Sequence, residues 1–459
     1  MIRRLPVLFF CVLSLTAFGQ WEDTDRLSKE FHKSRRDALR ALMPEKSAAV
    51  FFANPVRNRN NDVDFQYAQH PDFFYLTGGM EPDAVLVIFK EPRNFDGTNT
   101  DELLFVKKRD PGAELWTGRR MGLDGARKLL GFSVVYNGID WKEFGINWSS
   151  LNEVFVDYPD DPNQSRNDNA DLADLSGYLK DALSKANKEP NLTAIHGFMA
   201  QLREVKLPEE IVLLQKAMDV SIEGFIQLMK NAKPGMKEYQ AQAEVEYHAK
   251  MNGAEYMGYP SICGSGGNAC VLHYTHNRKP IENSEMLLAD MGAEYHGYTA
   301  DITRTIPMDG VFSETEKTIY NLVLDAQNAG IAVCRKGADF RASHRAAFDV
   351  VAKGLMKLGI IADERDAIKY FMHGTSHYLG LDVHDRGTYG ALKPGVVMTV
   401  EPGIYIPEGS PCDRKWWNLG IRIEDDILVT ESDPVIMTGA LPRTVEAIEA
   451  LMRKGHPGN

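Results

Sequence analysis

Short apolar runs bounded by turn residues dominate the first half of the chain. "SAAVFFANP", "DFFYLTG", "AVLVIFK", "DELLFVKK" and "VFVDYP" read as strands, after a polar helical start from Thr24 to about Leu42. Strands interspersed with helical patterns predict an α/β first domain. The second half opens instead on helices. One starts at Pro208, with Glu209 and Glu210 suiting its positive end, and stops at Pro234-Gly235. A second runs from about Glu238 to Asn252, with Gly253 beyond it. Ser313 and Glu316 form a capping box for a third, which ends before Gly337. Strand patterns at 285–306, 396–406 and 419–430 lie between and after these helices. Helices followed by mixed strands predict an α+β second domain. The boundary is expected near Pro190 to Lys206, giving domains at 20–195 and 196–459.

The first twenty residues fit neither pattern. "MIRRLPVLFFCVLSLTAFGQ" has Arg3 and Arg4, an apolar run too short to span a bilayer, and a small-residue end at Ala17-Phe18-Gly19. A secretory signal over 1–19 is expected, with the mature protein exported, periplasmic or secreted. Phe10 before Cys11 does not suit a lipoprotein site. The remaining cysteines, Cys263, Cys270, Cys334 and Cys412, form no CxxC pair and read as free, mostly buried thiols. A net charge of −12 argues against nucleic acid as a partner. "CGSGGNAC" lacks the lysine that a phosphate loop needs and reads as a turn bringing backbone near a substrate.

The chemistry concentrates in three stretches. In "LLADMGAEYHGYTADITRTIP", a hairpin turning near Tyr295-His296 places Asp290 directly opposite Asp301, their Cβ atoms about 4.5–5.5 Å apart. Such a pair is either solvated, shares a proton or holds a cation. "FMHGTSHYLGLDVHD" carries His373, His377 and His384, but Gly374 replaces the glutamate of a zincin motif and the glycines exclude one continuous helix. In "MTVEPGIYIP" and "GIRIEDDILVT", Glu401 ends an apolar run at a Pro-Gly kink, and Glu424 sits two residues after Arg422 in a buried strand. Four carboxylates exceed what Arg422 alone can partner. Asp290, Asp301, His377, Glu401 and Glu424 form a hard, oxygen-rich set with one imidazole and no thiolate. It suits two divalent cations of the manganese, iron or cobalt type.

These stretches, with "LHYTHN", resemble in order the motifs of the pita-bread metallopeptidases, and most closely the aminopeptidase P group. "DFFYLTG", "EPDAVLVI" and "ELWTGRRMG" resemble that group's first domain, so the likeness spans nearly the whole mature chain. The polar stretch at 160–190 is the departure. The resemblance implies a pita-bread catalytic domain and an exported dinuclear enzyme, manganese being the expected metal. It implies hydrolysis of the N-terminal Xaa-Pro bond of peptides by a hydroxide between two ions. Asp290 would bind one metal and His377 the other, with Asp301 and Glu424 bridging and Glu401 both ligand and acid/base. His273 would stabilise the oxyanion, His384 contact the substrate carbonyl or backbone, and His373 line the proline pocket. Arg422 would orient Asp290, and Trp116 would come from the first domain toward a neighbouring subunit's site in a dimer or tetramer. The alternatives are a prolidase restricted to dipeptides and a binding module that keeps the fold without metal.

Overall fold

The computed structural model describes residues 25–160 and 165–455. The expected signal over 1–19 lies outside the described residues. Among the described residues, no helix is long and apolar enough to cross a membrane.

The first half is α/β, as its pattern predicts. Its five-stranded sheet runs Val135–Asn137, Thr98–Val106, Val85–Phe95, Ser47–Phe52, Glu153–Asp157. The inner pairings are antiparallel and both outer ones parallel. Helices Lys29–Leu42 and Leu172–Lys185 belong to this half. One element differs from its reading. "DFFYLTG" is not a strand but the helix Pro71–Thr77, with Pro71 in its first turn and Gly78 left-handed at its end. Every side chain from Asp72 to Thr77 is buried. A run buried all round carries no periodicity to separate helix from strand.

The second half is α+β. Helices Pro208–Asn231, Glu238–Met251 and Glu314–Ala332 start and stop where their end signals place them, the last with its Ser313–Glu316 capping box formed. Segments 396–406 and 419–430 pair with each other: Val397–Val400 lies against Asp425–Leu428, and Gly403–Ile406 against Leu419–Arg422. Cys263 and Cys334 are buried free thiols, and Cys270 and Cys412 are half-buried and free. No residue of the "CGSGGNAC" turn lines the cavity described below, although Ile262 and Leu272 on either side of it do. Gly420 passes so close that an added Cβ would fall 2.2 Å from the Ala269 carbonyl.

The hairpin at 286–307 shows why local pattern fixes a face more firmly than a partner. Its loop is His296-Gly297, both with positive φ (49° and 86°), a type I′ turn that matches the strand twist. That is one residue beyond the expected turn. Asp290 therefore faces Thr303, not Asp301. Because Thr303 and Asp301 are two residues apart, Asp301 stays on the face of Asp290 as its diagonal neighbour.

One hydrophobic cluster runs through both halves. It joins Phe73, Tyr75 and Leu86 to Ile195, Met199, Leu213, Met218 and Tyr298, all nearly or fully buried. This shared core holds the first half against the mouth of the site described next.

Candidate metal centre

Two antiparallel ladders supply the carboxylates. On the 286–307 hairpin, Asp290 ends one strand and Asp301 approaches the start of the other. On the second ladder, the register continues from Val400–Asp425 to Gly403–Arg422, which sets Glu401 opposite Glu424. Both strands break there: Pro402 has no N–H to give, and Glu424 N–H donates to Thr303 O at 3.1 Å. This hydrogen bond ties the ladders together. The break frees Glu401 and Glu424 to turn toward the first hairpin, and Arg422 still reaches the same side.

His377 lies on an irregular segment alongside Val397–Val400. Thr399 N–H donates to His377 O at 3.0 Å, and Glu401 N–H to Thr375 O at 2.9 Å. His377 Nε2 lies 3.3 Å from Asp301 Oδ2 and 3.6 Å from Glu401 Oε1. Ligand atoms of Asp301, His377 and Glu424 all fall within 4.8 Å of one another. Arg422 Nη2 donates to Asp290 Oδ2 at 2.6 Å, its Nη1 to Tyr405 Oη at 2.8 Å and its Nε to Thr303 Oγ1 at 3.2 Å. The single Tyr259 hydroxyl sits 2.6 Å from Asp290 Oδ1 and 2.5 Å from Asp301 Oδ1.

The cluster is short of positive charge. Burial pushes the Asp290 carboxyl up, with Arg422 opposing and Asp301 adding to the rise. Burial and then the Asp301, Glu401 and Asp290 charges push Glu424 well above the carboxylate range. Glu401 rises to about 7, by burial first and against His377 and Arg422. Burial disfavours charged His377, yet the Asp301 hydrogen bond and charge, with Glu401, raise it to about 9. Behind them, Asp426 is fully buried and lifted by burial and by Asp301, and its Oδ1 has no hydrogen-bond partner. Four buried carboxylates and the half-buried Glu401 thus face one guanidinium. The donors are hard oxygens with one imidazole, and the set fits divalent cations.

Asp290, Asp301, His377, Glu401, Arg422 and Glu424 line one cavity of about 500 Å³ with His273, His373 and His384. His273 and His384 are exposed at its rim, and the His384 ring meets His377 at a centroid distance of 4.4 Å. His373 packs on Phe371 and Tyr405, and burial lowers it to about 4. Every expected site residue is gathered here except Trp116. That ring is 90% exposed on helix Pro111–Thr117 and does not line the cavity. Sequence reading missed Tyr259, Thr303, Tyr405 and Asp426. Alternation two residues on from Asp301 points to Thr303, and four on from Glu401 to Tyr405. Tyr259 lies far from its partners in sequence and has no such signal.

An α/β domain docked on an α+β domain carries a carboxylate nest open to solvent at a histidine rim, a site built to hold divalent metal. Residues 212–431 match metallopeptidase family M24, and 32–147 match the aminopeptidase P, N-terminal domain. The chain is 36% identical over 448 residues to Xaa-Pro aminopeptidase of Escherichia coli (strain K12), covering 93% of this chain and 98% of that protein. It superposes on Pseudomonas aeruginosa aminopeptidase PepP with a TM-score of 0.85 at 35% identity, covering 94% of this chain and 99% of that one. Aminopeptidase P from E. coli, solved with the inhibitor Pro-Leu, gives 0.85 at 34%, covering 94% and 100%. The chain belongs to metallopeptidase family M24, in its Xaa-Pro aminopeptidase (aminopeptidase P) branch, with the pita-bread catalytic domain of that branch. It is accordingly a metalloaminopeptidase, a hydrolase.

Proposed function

We propose that this chain is an exported, dinuclear aminopeptidase that removes the first residue of peptides with proline second. The observation that carries this reading is the convergence of Asp290, Asp301, His377, Glu401 and Glu424 on one cavity rimmed by His273, His373 and His384. Asp290 and His377 would each hold one of two divalent ions, with Asp301 and Glu424 shared and Glu401 completing the set. Manganese is the expected ion. When bound, the ions supply Lewis acidity and a water of lowered pKa.

The protein's own residues do the rest. Arg422 uses its planar fork to hold Asp290 through Oδ2, which fixes how the other oxygen is presented. Glu401, which lines the cavity 3.6 Å from His377, takes a proton and returns it to the leaving proline nitrogen. That nitrogen departs as a basic secondary amine, so its protonation is required. His273 donates to the oxygen that becomes negative as the carbonyl is attacked. His384 holds the substrate carbonyl or backbone. The neutral His373 ring, tilted against Tyr405, lines the proline pocket. Export rests on the charge and apolar pattern of residues 1–19. Assembly into a homo-oligomer is supported by Leu115 and Trp116, which stand 86% and 90% exposed on one short helix.

Manganese-loaded protein incubated with Ala-Pro-Ala tests the reading. Release of alanine is expected. Cleavage of the dipeptide Ala-Pro alone would make it a prolidase, and loss of both activities with metals bound would make it a binding module.

A further inference from the structure

A second cavity of about 480 Å³ adjoins the first. The two share Val383 and His384 as walls. This cavity lies between the halves of the molecule. Phe74 and Met80 of the first half and Leu381 of the second give it apolar sides, and Glu294 and Asp382 line it as carboxylates. Glu294 is unusual among the acidic groups. Among the described residues its carboxylate has no ion pair or hydrogen bond, and the charges that act on it, those of Glu255 and Asp382, are both negative. Glu255 is already held by His296, and Asp382 Oδ2 by Arg203 at 2.8 Å. Glu294 alone is left to the cavity.

Its position relative to the reaction is set by the hairpin. Glu294 lies four residues beyond Asp290, on the next strand of the hairpin, Ala293–Tyr295, where it pairs with Thr299, and both Glu294 and Thr299 line the second cavity. The His373 wall of the reaction cavity, backed by Tyr405, is assigned above to proline. The residue on the other side of the scissile bond therefore points toward Val383, His384 and the second cavity. Apolar walls with a carboxylate at long reach suit a side chain that is a hydrocarbon stem with a cationic head.

We propose that this cavity receives the side chain of the substrate's first residue and that Glu294 makes it selective for lysine or arginine. The inference rests on the aminopeptidase reading and adds to it a substrate class. Phe74 and Met80 give the first half of the chain a direct part in choosing substrate.

The test compares kcat/KM of the manganese-loaded full chain on Arg-Pro-Ala, Leu-Pro-Ala and Glu-Pro-Ala. The wild type is expected to favour Arg-Pro-Ala over Leu-Pro-Ala roughly tenfold, the usual effect of one charge-assisted hydrogen bond. Glu294→Gln, nearly the same shape, should bring that ratio close to one. Glu294→Lys should reverse it, with Glu-Pro-Ala overtaking Arg-Pro-Ala, a result that general damage to the fold does not produce. An unchanged ratio in both variants, or a wild type that cleaves all three peptides without preference, overturns the subsite and leaves the aminopeptidase reading standing. Failure of the wild type to cleave any of them overturns that reading and the subsite with it.

Discussion

Two clusters of carboxylates among the described residues, largely buried, resolve their repulsion in opposite ways. At the junction of the halves, Arg203 is 2% exposed and donates to Asp72 at 2.7 Å, to Asp382 at 2.8 Å and to Asp385. Lys206 adds a bond to Asp385 at 2.8 Å, and Arg386 stands 3.1 Å from Asp72. Although burial alone would raise Asp72, Arg203, Arg386 and His70 hold its carboxyl below the usual range. That cluster carries its own cations. In the other cluster, Asp290, Glu401, Glu424 and Asp426 are all shifted upward, by burial first and then by the neighbouring carboxylates, and Arg422 opposes the rise at only three of them. The contrast separates a structural tie from a binding site. Charges neutralised within the chain hold the halves together, and charges left uncompensated call for ions from solution.

The largest effect should come from Asp301→Ala. It removes the carboxylate closest to both His377 and Tyr259, so turnover and stoichiometric metal are both expected to vanish. Elemental analysis beside a peptide assay reads this out, and near-normal activity would break the contrast. The matching change in the other cluster is Arg203→Ala. It strands buried carboxylates without their cation and should lower unfolding stability by about 3–5 kcal/mol in a denaturant titration. The folded fraction should keep its full metal content. Loss of metal without loss of stability would mean the two clusters had been assigned the wrong way round.

His273→Ala sharpens the division within the site. The variant should retain its metals and lose about 2.7–4 kcal/mol of transition-state stabilisation, seen in kcat. If metal is lost instead, His273 is a ligand. Arg422→Lys should act more mildly. Lysine keeps the charge but cannot span Asp290, Thr303 and Tyr405 together. Activity or metal affinity should fall by about 10–100-fold, partly restored by excess manganese, with little change in thermal stability. A fall in step with unfolding would reduce Arg422 to an ordinary buried ion pair.

The smallest effect is one of pH. In chelated protein, Glu401 has a folded pKa of about 7 against an ordinary 4.5, so the stability it contributes is present below 4.5 and lost as pH rises through 7. His377, at about 9 against 6.5, contributes stability present below 6.5 and lost through 9. Cations replace these protons, so the gap in melting temperature between loaded and chelated protein should widen from about pH 5 to pH 9. A constant gap would separate metal binding from these two groups.

Much of this was legible in the sequence, for reasons that differ by residue. Helix ends at Pro208, Gly253 and Ser313 were readable because capping is local chemistry. The face shared by Asp290 and Asp301 was readable because strand alternation has period two, whereas the partner of Asp290 depended on a turn one residue further along. Glu401 against Glu424 was not seen as a facing pair, because that register is set by a long-range ladder across twenty-three positions. "DFFYLTG" was misread because it is buried on every side. Tyr259 and the Arg203 cluster were invisible, since their partners lie tens to hundreds of residues away and no spacing links them.

The central claim is that the uncompensated cluster is completed by two divalent ions. Calorimetric titration of chelated protein with manganese at neutral pH tests it most directly. Two equivalents per chain should bind with release of protons, since Glu401 and His377 still hold them in the chelated state, and the endpoint should coincide with the appearance of Ala-Pro-Ala cleavage. Binding of fewer than two equivalents, or full cleavage before any manganese is added, would contradict it.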